Sequence, residues 1–248
     1  MPPTSITKTL FDAVLFDLDG VITKTANVHA ACWKKMFDDF LSEHARNTGQ
    51  LFIPFDIVSD YNRYVDGKLR QEGVSSFLKS RRIQLPFGGP DAFFGEATIW
   101  GLGNRKDDMF MAVLREKGVD ILEDGMALVR HVRAEGLNTA VVSSSKNCQA
   151  VLKAANIEEF FDVRVDGITV EQLQISGKPA PDAFLKAAER LGVSPDRSVV
   201  VEDAISGVQA GRLGNFGLVV GVARKGDAEA LRKNGADIVV TNLRTLIV

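Results

Sequence analysis

The run Val14-Leu15-Phe16-Asp17-Leu18-Asp19-Gly20-Val21-Ile22-Thr23 carries two carboxylates one residue apart at the end of an apolar stretch, with a glycine directly after them. An apolar run closed in this way predicts a buried β-strand ending at a turn. Side chains along a strand alternate, so Asp17 and Asp19 set out on the same side. Two neighbouring carboxylates at the open end of a buried strand are costly unless a cation or a proton offsets their charge. On its own, Asp-x-Asp-Gly is equally a strand running into a polar turn, so the remainder of the chain has to choose between turn and metal site.

Downstream, short apolar strands are predicted at 139–143, 162–165, 198–201, 217–221 and 237–240. They alternate with helices at 147–155, 181–191, 204–213 and 227–234. Such alternation predicts βαβ units around a parallel sheet buried on both faces, that is, a doubly wound, Rossmann-like α/β core. The first strand is separated from this series by helical patterns at 27–44, 59–64 and 71–80, with a polar turn at 66–70. A stretch rich in Gly, Pro and Phe at 84–103 predicts a loop excursion, and helices follow at 105–117 and 125–134. The interruption predicts an inserted α-helical cap at 24–104, with the core built from 1–23 and 105–248. Trp33, Phe37 and the aromatic piece 87–94 are expected to fill the cap interior.

The chain has 248 residues, enough for a sizeable core, and its 45% hydrophobic and 25% charged content is ordinary for a globular protein. With 30 basic residues against 32 acidic ones, there is no global field to attract nucleic acid or an anionic membrane. Two cysteines, Cys32 and Cys148, form no disulfide framework and suit a reducing compartment. No apolar run approaches the ~20 residues of a membrane span, and residues 1–10 lack a signal-peptide layout. A cytoplasmic monomer acting on a small molecule is expected.

In open parallel sheets, ligands gather outside the carboxyl ends of the strands. Four polar clusters fall there: Asp17 with Asp19, Ser143 to Asn147, Lys178, and Glu202 with Asp203. The four carboxylates are hard oxygen donors that suit Mg²⁺ better than zinc, and no Cys/His cluster has zinc spacing. Ser143-Ser144-Ser145 offers hydroxyls and amides ahead of a helix, and Lys178 adds a compact positive charge, so both suit a phosphate. Beside a metal, an aspartate can act as a nucleophile and a neighbouring carboxylate as acid and base.

The segments DLDGVIT, VVSSSKN, SGKPAPDAF and VVVEDAISGVQAG, in this order and spacing, resemble the four motifs of the haloacid dehalogenase superfamily. TKTANVHAACW, Arg70, RKDDMF and SSSKN resemble its β-phosphoglucomutase-like subfamily in particular, and the likeness extends over the whole chain. The resemblance implies a Mg²⁺-dependent phosphoryl transfer on a sugar phosphate, with Asp17 as nucleophile and metal ligand. It makes Asp19 the acid/base, with its carbonyl on the metal, and completes the metal site with Glu202 and Asp203. Ser143, the Ser144 amide and Lys178 are implied to hold the transferring group. Arg70, Ser145, Lys146 and Asn147 are implied to grip the second phosphate, while Thr25, His29, Trp33 and Lys106 serve the substrate and Asp19. Pro179 after Lys178 takes a cis bond in the subfamily. Asp66 stands where the subfamily has a lysine, with Lys68 two residues on, and Lys24 stands where it has an aspartate. A phosphatase of the same fold and a non-catalytic sugar-phosphate sensor are the alternatives. The intact carboxylate set argues against the sensor.

Overall fold

A computed structural model describes residues 5–93 and 95–247. The chain forms two compact units, Met1–Thr25 with Val119–Val248, and Ala26–Gly118.

The first unit holds six parallel strands: β1 (Ala13–Phe16), β2 (Asn138–Val142), β3 (Val163–Val165), β4 (Ser198–Glu202), β5 (Leu218–Val222) and β6 (Ile238–Val240). Their order is β3-β2-β1-β4-β5-β6. Every residue of β1, β4 and β5 is buried, as the unbroken apolar runs require when helices cover both faces. Each fully buried Val or Leu contributes about 1.5–3 kcal/mol, so these strands anchor the sheet. The chain winds outward from β1 to β3 and then returns to place β4 on the other side of β1. That reversal is the switch point at which such sheets bind ligands. Phe16 pairs with Val141 on one side and with Val201 on the other, so the three strand ends lie level.

Among the described residues, six α-helices belong to this unit: Glu123–Ala134, Cys148–Ala154, Gly167–Leu173, Asp182–Leu191, Ile205–Leu213 and Ala228–Lys233. Gly167–Leu173 was not expected. It is two turns long and rich in β-branched residues, too short for a 3.6-residue period to show. Asp166 starts it, accepting the Thr169 amide at 2.9 Å. The Lys178-Pro179 bond is cis.

The second unit contains most of α1 (Thr25–Thr48), together with α2 (Arg70–Ser80) and α3 (Ile99–Lys117). Its core joins Trp33, Met36, Phe37 and Phe40 from α1 to Phe55, Tyr61, Val74, Phe77 and Leu102. Several expectations are refined or corrected here. Residues 59–65 are helical as expected, but after two α-helical residues the chain widens into a π-helical turn at Tyr61–Val65. The helix expected at 105–117 begins at Ile99, so residues 99–103 leave the predicted loop. Gly101 and Gly103 disguise that start, since glycine is a poor helix former. They are needed there, because a Cβ on Gly101 would lie 2.3 Å from the Glu96 carbonyl oxygen. Thr98 caps the helix by accepting the Gly101 amide at 2.9 Å, and Gly118 ends it at φ +68°. An unbroken helix to Lys117 carries residues 105–118 with the helical unit, whereas the sequence suggested a division after 104. The aromatic piece does not fill the interior either: Phe87 and Phe93 are each 59% exposed, and Phe94 lies outside the described residues. Among the described residues no helix is long and apolar enough to cross a membrane.

Candidate active site

Asp17 follows β1 directly and continues its pairing, its amide donating to the Val201 carbonyl at 2.9 Å. Glu202 ends the neighbouring β4 with Asp203 directly after it, and Ser143 directly follows β2. Lys178 is drawn into this corner from a loop, and its ammonium is 99% buried. It donates to Asp17 Oδ1 at 2.6 Å, Glu202 Oε1 at 2.5 Å and the Val142 carbonyl at 3.0 Å. Glu202 is fully buried, and its second oxygen accepts the Ala204 amide at 2.9 Å.

Burial, and after it the charge of Glu202, push Asp17 well above the usual carboxylate range, against the pull of Lys178. Burial alone would discharge Lys178, but Asp17 and Glu202 outweigh it and hold the ammonium above the usual lysine range. The two tendencies oppose each other, and the contacts decide between them. An ammonium within 2.6 Å of two carboxylate oxygens is charged, and Asp17 bears the strain of sharing it.

Asp203 completes the cluster. One oxygen from each of Asp17, Glu202 and Asp203 lies within 4.8 Å of the others, and all three residues are buried. One ammonium against three carboxylates leaves negative charge over, and the donors are all hard oxygens. Such a set fits a hard divalent cation. Two glycines make the cluster possible. At Gly20, with φ +89°, a Cβ would lie 2.0 Å from Asp203 Oδ2, and at Gly207 it would lie 1.8 Å from Glu202 Oε1.

The Asp19 carboxylate is not part of this cluster. Thr25 donates its hydroxyl to Asp19 Oδ1, Thr25 and Thr23 hydroxyls lie 2.6 Å apart, and Ser143 Oγ is 3.5 Å from Asp19 Oδ2. The two carboxylates of the first motif therefore sit in different surroundings, one with Lys178 and the acids, the other with hydroxyls. In the loop after β2, Ser143 Oγ accepts the Ser145 amide at 3.1 Å and Ser145 Oγ accepts that of Asn147 at 3.1 Å. Those two amides are thus engaged within the loop itself. Lys146 pairs with Glu171 at 2.7 Å. Cys148 is buried, and burial pushes its thiol well up, which suits packing rather than reactivity.

The helical unit gathers the other expected residues in two places. Lys106 Nζ lies 2.5 Å from His29 Nδ1. The same ammonium also lies 5.1 Å over the Trp33 ring. Trp33 itself is core, stacked on Phe37 with centroids 5.3 Å apart. Arg70, in the first turn of α2, pairs with Asp107 of α3 at 2.7 Å. Sequence reasoning missed Asp107 and also Arg224. Arg224 donates to the Gly20 carbonyl at 2.9 Å and grips Asp124 with both Nη atoms, at 2.8 and 3.0 Å. Neither carries a local signal, because each is defined by a partner far along the chain.

A sheet with this switch point and this acidic corner defines a phosphotransferase-like α/β protein, and the family model of haloacid dehalogenase-like hydrolases matches residues 11–215. The chain belongs to that family. Among its relatives, a β-phosphoglucomutase of Mycobacterium tuberculosis is 52% identical over 238 residues, covering 95% of this chain and 91% of the relative. A β-phosphoglucomutase of Bacillus subtilis is 34% identical, covering 92% and 88%. The crystal structure of β-phosphoglucomutase from Clostridium difficile matches with a TM-score of 0.74 at 28% identity, covering 95% of this chain and 93% of that one. The chain is an enzyme of the β-phosphoglucomutase-like branch.

Proposed function

We propose that this enzyme interconverts β-glucose 1-phosphate and glucose 6-phosphate through a sugar bisphosphate and a phosphorylated Asp17. The observation that carries this is the separation of Asp17 from Asp19. Asp17 sits with Lys178, Glu202 and Asp203, whereas Asp19 is held by the Thr25 hydroxyl. A nucleophile and an acid/base need such different environments. An oxygen of Asp17 attacks phosphorus, the bond to the sugar oxygen breaks, and Asp19 supplies the proton that the departing oxygen takes. In return, a sugar hydroxyl gives its proton to Asp19 and attacks the phosphoryl group, and the bond to Asp17 breaks. Ser143, the Ser144 amide and Lys178 orient the transferring group, while Arg70, Ser145, Lys146 and Asn147 take the phosphate that does not react. Thr25, His29 and Lys106 support Asp19 and the sugar, while Trp33, itself in the core, backs the Lys106 ammonium.

Asp17, Glu202 and Asp203, together with the Asp19 carbonyl, would hold Mg²⁺, which offsets charge on the phosphoryl oxygens. The test supplies β-glucose 1-phosphate, Mg²⁺ and a trace of glucose 1,6-bisphosphate, then follows glucose 6-phosphate and free phosphate together. Glucose 6-phosphate well ahead of free phosphate, with activity abolished by a chelator, is the expected result. Free phosphate keeping pace with substrate loss, without glucose 6-phosphate, would leave a phosphatase of the same fold. No turnover at all would leave a sensor.

A further inference from the structure

Arg70 has five N–H donors, and its partners take only one end of the guanidinium. Nη1 lies 2.7 Å from Asp107 Oδ2 and donates to the Gly103 carbonyl at 3.4 Å. Nε and Nη2 have no partner among the described residues. Gly103 and Asp107 are four residues apart on α3 and so share one face. The glycine also makes room for the arginine stem, since a Cβ there would lie 3.4 Å from Arg70 Cγ. The Nε–Nη2 edge is the fork that binds a phosphate by two parallel hydrogen bonds. In the same corner, 3.8 Å from that Cβ position, is Gln71 Nε2, a buried donor with no hydrogen-bond partner among the described residues. An arginine anchored at one nitrogen with a complete fork left over, next to an unused amide donor, is arranged for an anion. A plain surface ion pair has no need of either feature. Side chains here are only 13% and 28% exposed, so the pair is partly shielded from water.

We propose that Asp107 is a positioning residue for Arg70, holding Nη1 so that the Nε–Nη2 fork is kept for the phosphate that does not react. This rests on the role given to Arg70 above. Asp107 touches neither sugar nor reacting phosphate; it acts through the arginine. A flexible guanidinium would otherwise sample many rotamers, and fixing it beforehand removes that cost from binding.

The experiment measures the concentration of glucose 1,6-bisphosphate that gives half-maximal mutase rate, and KM for p-nitrophenyl phosphate, in wild type, Asp107→Ala, Asp107→Asn and Arg70→Ala. Asp107→Ala is expected to raise the bisphosphate requirement about tenfold, as loss of a group that orients a binding residue does, and to change the aryl phosphate KM far less. Asp107→Asn keeps an oxygen acceptor for Nη1 and is expected to recover most of the loss. Adding Asp107→Ala to Arg70→Ala should cost little more than Arg70→Ala alone. If Arg70→Ala leaves the bisphosphate requirement unchanged, the role of Arg70 itself falls. If Arg70→Ala raises it but Asp107→Ala leaves it unchanged, or lowers it by unmasking charge, the positioning role is overturned while the arginine site stands. Equal losses on both substrates, with a lowered melting temperature in Asp107→Asn as well, would also overturn it in favour of a structural pair.

Discussion

Two residues on either side of one ion pair are expected to respond in opposite ways. Burial and Glu202 hold Asp17 well above the usual carboxylate range, so its negative charge is a burden on the fold at neutral pH. Asp17→Asn lifts that burden and leaves Lys178 paired with Glu202 at 2.5 Å. Its melting temperature should stay within a few degrees of wild type, while turnover falls by roughly 10⁴-fold or more, as when an attacking group is lost. Lys178→Met does the reverse to the fold: Asp17 and Glu202 remain buried without their cation. Stability should drop by about 3–5 kcal/mol. Thermal melts of both variants beside a turnover assay decide this, and a folded, active Asp17→Asn protein would remove Asp17 as the nucleophile.

At the scale of the element, the turn after β1 has a shape that only glycine permits. Gly20 has φ +89°, its amide donates to the Thr23 carbonyl at 2.8 Å, and a side chain there would run into Asp203. Gly49, with φ +70° at the end of α1, is a control, because a Cβ there meets nothing within 4 Å. Either glycine changed to alanine accepts left-handed backbone strain of about 1–2 kcal/mol. Only Gly20→Ala also displaces a member of the acidic cluster, and shifts of an ångström at such a site cost about 100-fold. Steady-state rates should therefore separate the two variants even where their melting temperatures agree. Comparable activity in both would mean that Asp203 tolerates the shift. Glycine also misled the reading of α3, whose first turn was hidden by Gly101 and Gly103, residues kept for close packing against Glu96 and Arg70.

For the α/β unit as a whole, the Asp124–Arg224 pair ties three remote parts of the chain together. Asp124 opens the helix Glu123–Ala134, Arg224 follows β5, and the Leu243 amide donates to Asp124 at 3.0 Å. Burial raises the Asp124 carboxyl, but Arg224 and that amide outweigh it and hold it below the usual range. A carboxylate depressed in the fold contributes stability that is present above its unfolded value, about 3.9, and lost as pH falls through the folded one. Asp124→Asn should be less stable than wild type at pH 7, and the gap should close as pH falls below about 4. Calorimetric melts across that range would refute the assignment if the two curves ran parallel. The sequence by itself determined the alternating βαβ core, the inserted helices and the residue types at the strand ends, because strand period, turn glycines and apolar runs are properties of neighbours along the chain. Asp17, Ser143, Lys178, Glu202 and Asp203 were legible in this way, whereas Arg70 stood out only by resemblance to the family. Only the tertiary structure decided that Lys178, 161 residues beyond Asp17, binds both Asp17 and Glu202, that Asp107 holds Arg70, and that Arg224 reaches Gly20. Those contacts depend on which strand ends and helix faces are brought side by side, and no local pattern records that choice.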